Sequence, residues 1–236
     1  MPGELLDTAP ASALAIYAHP DDPDVSCGGT LAAWTSAGCR VEVVICARGD
    51  KGSSDPSTDT AELVRRRTEE ARASAAILGF AELRLLGHDD GELENNRQLR
   101  AELVAAMRGS RPEAVICPDP LAVLFGEHYY NHRDHRQVGW AALDAAAAAG
   151  APLYFPEISP AFAVPVVYLS GTLEPTVWVD VSATVARKAE ALACHESQLG
   201  ETGEWLRMAV LERAEEAGRE VGVRYAESFR RVRPAH

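Results

Sequence analysis

Two short segments of this 236-residue chain concentrate the side chains able to hold a metal ion or move a proton. In the first, Leu14-Ala-Ile-Tyr-Ala-His19-Pro20-Asp21-Asp22, an apolar run ends in one imidazole and two carboxylates. The second is Asn131-His132-Arg133-Asp134-His135. Three-residue spacing on a helical turn puts the imidazoles of His132 and His135 on one side. One His and one Asp from the first segment with one His from the second make a His2Asp face. Three protein ligands and an open position describe a catalytic zinc. Nitrogen donors argue against magnesium, while iron(II) or another divalent metal is left open. Neighbouring carboxylates point in different directions, so if Asp22 turns to the metal, Asp21 faces the water on it. Zinc lowers the pKa of such a water to about 7, and a nearby carboxylate takes its proton as it attacks. His132 then serves the substrate: protonated, it would steady an oxyanion and protonate a leaving amine. Together these parts specify metal-assisted hydrolysis of an amide or ester.

The elements that must deliver these groups alternate regularly. Ala13 to Ala18 reads as a buried strand, and Gly28-Gly29-Thr30 opens a helix to about Ser36. A second strand, Val41 to Cys46, leads into the polar, Gly-rich loop 48–56. Thr60 is the expected cap of a helix to Leu78, closed by Gly79, with Leu63, Arg67, Glu70 and Ser74 on one face. Leu83 to Leu86 is a short strand before the polar loop 87–92, and a helix is expected from Arg97 to Arg108. Glu113 to Cys117 is another buried strand, followed by a loop that ends in His128 to His135 and an Ala-rich helix, Arg136 to Ala149. Strands Val164 to Leu169 and Thr176 to Asp180, then helices near 183–197 and 204–217, complete the chain. The pattern predicts an α/β, Rossmann-like fold, a mostly parallel sheet with helices on both faces. Ligands of such sheets bind beyond the carboxyl ends of the strands. The loops at 19–27, 48–56, 87–94 and 118–135 all follow strands and should converge on one rim.

Composition narrows the partners. Lys and Arg number 23 against 35 Asp and Glu, a net charge of −12. That balance repels nucleic acid and anionic membranes. The apolar runs fall short of the ~20 residues of a membrane span, and the first residues lack a signal-peptide pattern. Five cysteines without a C-x-x-C pair fit reduced thiols in a cytoplasmic protein. No G-x-G-x-x-G or P-loop supports nucleotide binding. The apolar fraction, 47%, suffices for one domain over residues 1–236. A homo-oligomer is left open.

Tyr17-Ala-His19-Pro-Asp21-Asp22 followed by Gly28-Gly29-Thr30-Leu31 resembles the signature of the zinc-dependent N-acetylglucosaminyl deacetylases, the PIG-L or LmbE-like family. Gly49-Asp50-Lys51-Gly52, Arg67-Thr-Glu-Glu70, Asp90-Gly91-Glu92-Leu93, Asn131 to His135, Lys188, His195-Glu-Ser-Gln198 and Tyr225 to Phe229 extend the likeness along nearly the whole chain. The resemblance implies one Zn2+ on His19, Asp22 and His135. It implies Asp21 as general base, His132 at the carbonyl oxygen and Tyr130 as an assisting group. Arg67 and Asp90 would contact the sugar. The implied reaction removes acetyl from a small GlcNAc-type amino sugar. A bulkier acyl amide, such as a sugar–thiol conjugate, or a non-catalytic metal- or sugar-binding role are the alternatives. In one departure, Pro23 stands where family members usually carry a further acidic residue, and Asp24 follows it.

Overall fold

The computed structural model describes residues 3–127, 129–158, 160–199 and 203–234. Its centre is an eight-stranded sheet in the order β1-β9-β10-β8-β5-β2-β3-β4. The strands are β1 (Glu4–Leu6), β2 (Ser12–Tyr17), β3 (Arg40–Ala47), β4 (Glu82–His88), β5 (Ala114–Pro118), β8 (Val167–Ser170), β9 (Val177–Asp180) and β10 (Ala226–Val232). All pairings are parallel except those of β10, which runs antiparallel between β8 and β9. A two-stranded hairpin, β6 (Leu124–Phe125) and β7 (Tyr129–Tyr130), stands apart from the sheet.

Strand periodicity divides the core. Leu14 and Ile16 of β2 face a cluster with Leu103 and Met107 of α3 (Arg97–Ser110) and Val138 and Ala142 of α4 (Arg133–Gly150). Ala13, Ala15 and Tyr17 face the opposite cluster, with Leu31 and Trp34 of α1 (Asp22–Ser36) and Ala214 of α7 (Gly203–Val221). Helices α2 (Thr60–Leu78), α5 (Val185–Ala193) and α6 (Glu196–Leu199) complete the chain. Asp59, one residue before the expected cap, accepts the N–H groups of Ala61 and Glu62. The five cysteines are unpaired. Among the described residues no helix is long and apolar enough to cross a membrane.

Helix α1 begins at Asp22, six residues before the expected glycine start. Pro23 supplies a fixed φ suited to a first turn, and Asp22 and Asp24 complement the positive helix end. The glycines instead mark a break. Cys27 leaves helical geometry (φ −148°, ψ 21°), freeing the N–H groups that follow. Gly29 and Thr30 donate theirs to the Glu227 carboxylate of β10 at 3.0 and 2.7 Å. A Cβ at Gly29 would lie 2.9 Å from Val181 and 3.0 Å from Glu227, so only glycine allows this approach. Lys188 of α5 neutralises Glu227 at 2.5 Å, and both side chains are buried.

Sequence periodicity missed β1, the hairpin and β10. The first two are too short to show a period, and β10 carries Glu227, Ser228, Arg230 and Arg231 in only seven residues. Pro165 delays the start of β8 to Val167. Removing Glu227 strands the buried Lys188 ammonium and two helix N–H groups. Glu227→Ala should therefore lower the unfolding free energy by about 3–5 kcal/mol, read from urea denaturation. A change below about 1 kcal/mol would show that the pair does not hold the break.

Candidate metal centre

The connections after β2, β3, β4 and β5 meet at the carboxyl edge of the sheet. The order β5-β2-β3 places His19, after β2, and the 119–135 segment, after β5, on the two sides of the topological switch point. His19 Nδ1 lies 3.3 Å from His135 Nε2 and 3.5 Å from Asp22 Oδ2, and His135 Nε2 lies 3.1 Å from Asp22 Oδ1. Donors bonded at about 2.0–2.1 Å to a tetrahedral zinc stand roughly 3.3 Å apart. The triangle thus has the size and the N2O chemistry of a three-ligand metal face.

Hydrogen bonds behind the triangle assign the tautomers. His19 Nε2 meets Asp90 Oδ1 at 2.9 Å, and His135 Nδ1 meets Asn131 Oδ1 at 3.0 Å. The Asn131 amide is oriented by donating to Ala122 O at 2.7 Å. Each ring therefore keeps its hydrogen on the outer nitrogen and turns a lone pair inward. Asp90 is supported in turn, its N–H donating to Asp50 Oδ1.

A second cluster of possible ligands comprises His19, Asp90, His132 and Asp134, and a third groups His19, His132 and His135. Geometry disfavours both as ion sites. The 2.9 Å from His19 Nε2 to Asp90 is a hydrogen-bond distance, and Asp134 Oδ2 already accepts the Gly91 N–H. His132 caps α4, its Nδ1 accepting the Asp134 N–H at 3.2 Å. That bond leaves the His132 hydrogen on Nε2, so the ring is a donor there and not a ligand.

Burial opposes the His19 imidazolium, yet Asp22, helped by Asp134 and Asp90, raises it to about 12. Asp22 likewise raises His135 against its burial. Burial pushes Asp22 up, but His135 and His19 hold it well below the carboxylate range. His132 moves the other way, lowered by burial and by the neighbouring His19 and His135. The His132 ring, expected from the sequence to be protonated, accepts the Asp134 N–H on Nδ1 and is shifted toward its neutral form by burial and the neighbouring rings.

Other expectations change as well. His132 and His135 do not share a helical turn; one caps α4 and the other lies in its first turn, though their rings still meet at 5.5 Å between centroids. Arg67, expected on the sugar, is 3% exposed and donates to Asp21 Oδ1 at 2.9 Å and Gly49 O at 3.1 Å. A Cβ at Gly49 (φ +68°) would fall 2.3 Å from this guanidinium. Asp90, the other expected sugar contact, is buried against His19. Tyr130 turns outward, its hydroxyl accepting from Arg136 at 2.7 Å. Successive strand residues face opposite ways, and the Tyr129 ring packs beside that of Phe125 at 5.7 Å between centroids. His128 lies outside the described residues. Lys51 is exposed and paired with Glu92, and His88 pairs with Glu102.

Beneath the triangle lies a buried network that sequence spacing did not bring together. Asp24 Oδ1 accepts from Ser74 of α2, and Asp24 Oδ2 meets His195 Nε2 at 2.5 Å. The departure at Pro23 thus sends an acidic side chain one position later into the core. Ser197 donates its N–H and hydroxyl to Glu70, and Gln198 donates to Gly52 O, tying the His-Glu-Ser-Gln segment to α2 and the loop at 48–56.

Similarity to known proteins agrees with the fold. The family model described as PIG-L: GlcNAc-PI de-N-acetylase matches residues 14–146. A diacetylchitobiose deacetylase of Thermococcus kodakarensis is 34% identical over 229 residues, covering 93% of this chain and 82% of that protein. A 1D-myo-inositol 2-acetamido-2-deoxy-alpha-D-glucopyranoside deacetylase of Streptomyces scabiei is 29% identical over 194 residues, which are 71% of this chain and 58% of the relative's length. The solved N,N'-diacetylchitobiose deacetylase from Pyrococcus horikoshii superposes with a TM-score of 0.87 at 30% identity, over 95% of this chain and 84% of that one.

Burial opposes the charge on His195, but Asp24 outweighs it and raises the ring. The resulting stabilisation is complete below the unfolded imidazole value near 6.5 and is lost as pH rises through the higher folded value. The stability gap between wild type and His195→Gln, from urea midpoints, should therefore be larger at pH 6 than at pH 9. A gap independent of pH would show that the pair carries no proton-linked stability.

Proposed function

The chain belongs to the PIG-L family, and on that premise we propose that it hydrolyses the acetamide of a GlcNAc-type amino sugar, releasing acetate and a free amine. The observation that carries this proposal is the inward-facing triangle of His19 Nδ1, His135 Nε2 and Asp22 beside a second, partly exposed carboxylate, Asp21. The names of the relatives support the substrate class, since both denote an acetylated amino sugar joined to a second ring.

His19, Asp22 and His135 would hold one metal ion. Two imidazoles and a carboxylate suit zinc, with iron(II) the nearest rival. Zinc bound there would act as a Lewis acid toward the attacking water and the acetamide oxygen. Asp21 takes the proton of the water as its oxygen bonds to the carbonyl carbon. Arg67 holds Asp21 Oδ1, which leaves the other carboxylate oxygen for that proton. His132, neutral, donates its Nε2–H to the carbonyl oxygen as negative charge gathers there. The C–N bond breaks, the nitrogen takes the proton from Asp21, and the products leave. Arg67 and Asp90 are positioning residues in this scheme, one for the base and one for a ligand. We read residues 1–236 as one domain, because β1 and β10 bind both ends of the chain into the same sheet. The unpaired thiols favour a cytoplasmic setting.

Asp21→Asn should keep its metal and lose kcat by roughly 10²–10⁴, measured as acetate release alongside metal analysis. Full activity in that variant would remove Asp21 from the mechanism. Because Asp22 raises His19 and His135 against their burial, zinc must displace protons. Calorimetric titrations in buffers of different ionisation enthalpy should show proton release on loading, with affinity falling as pH is lowered. Asp90→Asn should weaken zinc binding about 10- to 100-fold. Binding without proton release, or an unaltered affinity in Asp90→Asn, would place the ion elsewhere.

A further inference from the structure

A short segment far along the chain touches the surroundings of the metal centre at three points. It runs from His195 through α6. His195 Nε2 meets Asp24 Oδ2 at 2.5 Å, in the first turn of α1. Ser197 donates its N–H and its hydroxyl to Glu70 of α2 at 2.8 and 2.5 Å. Gln198 Nε2 donates to Gly52 O, in the loop at 48–56, at 3.1 Å. The same three elements enclose Asp21. It stands at the N-cap of α1, takes the guanidinium of Arg67 from α2, and shares that guanidinium with Gly49 O of the loop.

The Arg67 guanidinium depends on the shape of that loop. Its bonds to Asp21 and Gly49 use Nη2 and Nη1, and its buried Nε has no hydrogen-bond partner among the described residues. Walls must therefore do part of the holding. Gly52 is one: a Cβ there would fall 2.4 Å from Arg67 Nη1 and 2.9 Å from Gln198 Oε1. Gln198 and the guanidinium thus lie against the same glycine. The Gly52 N–H donates to Gly49 O at 3.3 Å, closing a single backbone turn. One carbonyl of that turn receives Arg67 and another receives Gln198.

The segment itself is firmly anchored. Arg67, Glu70 and Ser74 share one face of α2. Ser74 donates to Asp24 Oδ1 at 2.7 Å, and Glu70 takes Ser197. Asp24, Glu70, Ser74 and His195 are buried. A buried polar group that loses its partner bears the full desolvation cost, so these anchors hold their places. Gln198 reaches from them to the turn at Gly52. Proton transfer needs a carboxylate oxygen within about 2.6–3.2 Å of the water it serves. A misplacement of about 1 Å can cost roughly 100-fold in rate.

We propose that Gln198 is a positioning residue for the carboxylate of Asp21: anchored through His195 and Ser197, it pins the turn from Gly49 to Gly52 against the Arg67 guanidinium that holds Asp21. The proposal rests on the reading of Asp21 as the base and deepens it by naming what keeps that base in place.

The test measures kcat and KM for acetate release from N,N'-diacetylchitobiose by the zinc-loaded full chain, with zinc affinity by calorimetry. Gln198→Ala should fold, since the side chain is only half-buried. It should lower kcat roughly 10- to 100-fold, with KM within about twofold and zinc affinity unchanged. Gly52→Ala presses on the guanidinium from the loop side and should show the same split. In an Asp21→Asn background, Gln198→Ala should change kcat by less than about twofold, because the group it positions is already gone. An equal loss in both backgrounds, a loss confined to KM, or unaltered kcat in both variants would overturn the role. Full activity of Asp21→Asn would remove the base assignment and this role with it. If wild type releases no acetate, the deacetylase function fails instead, and a crystal structure of Gln198→Ala judges the positioning alone. Arg67 displaced from Asp21 Oδ1 would support it, and Arg67 still in place would overturn it.

Discussion

Two imidazole lone pairs and a carboxylate held within 3.5 Å of one another repel unless positive charge lies among them. Much of the surrounding structure meets that constraint. Asp90 and Asn131 fix the rings from behind, and Asp50 and Ala122 O fix Asp90 and Asn131 in turn. The raised imidazoles and the depressed carboxylate express the same demand. His132 is kept apart from this demand by one backbone N–H, which takes its inner lone pair and leaves it a donor. A single hydrogen bond thereby distinguishes His132 from His135, two histidines that sequence pattern alone would treat alike.

The carboxylates at 21, 22 and 24 illustrate how one turn of helix distributes like charges. Asp22 turns to the two rings, Asp21 to Arg67, and Asp24 inward to Ser74 and His195. Each receives a partner from a different element, so the first turn of α1 is braced on three sides. The break at Cys27 then lets the rest of α1 take its own cap from β10, independent of the first turn.

Much of this was legible before any coordinates. The apolar run before His19 and the β-branched run at 41–46 specify buried parallel strands, and the polar loops after them meet where such sheets bind ligands. The His-Pro-Asp-Asp segment and the pair of later histidines come together as their chemistry requires. What spacing cannot disclose is which way a side chain turns. Arg67 and Asp90 sit on the right loops and faces, but they are consumed by Asp21 and His19 and do not face solvent. Tyr129 and Tyr130 are identical in type and adjacent, and only the pleat of β7 decides between them. His195 and Glu227 lie 171 and 198 residues from their partners in α1, beyond any local pattern.

The insertion of β10 between β8 and β9 also sets a timetable. The carboxylate that caps the broken helix α1 is 198 residues downstream of Gly29. At about 5–20 residues per second, synthesis leaves Gly29 and Thr30 without it for roughly 10–40 s. Late in that interval, once made, β8 and β9 still lack the strand that joins them, and Lys188 lacks its counter-ion. The second part of α1, just past the turn that carries Asp21 and Asp22, is therefore made early and capped only after β10 emerges.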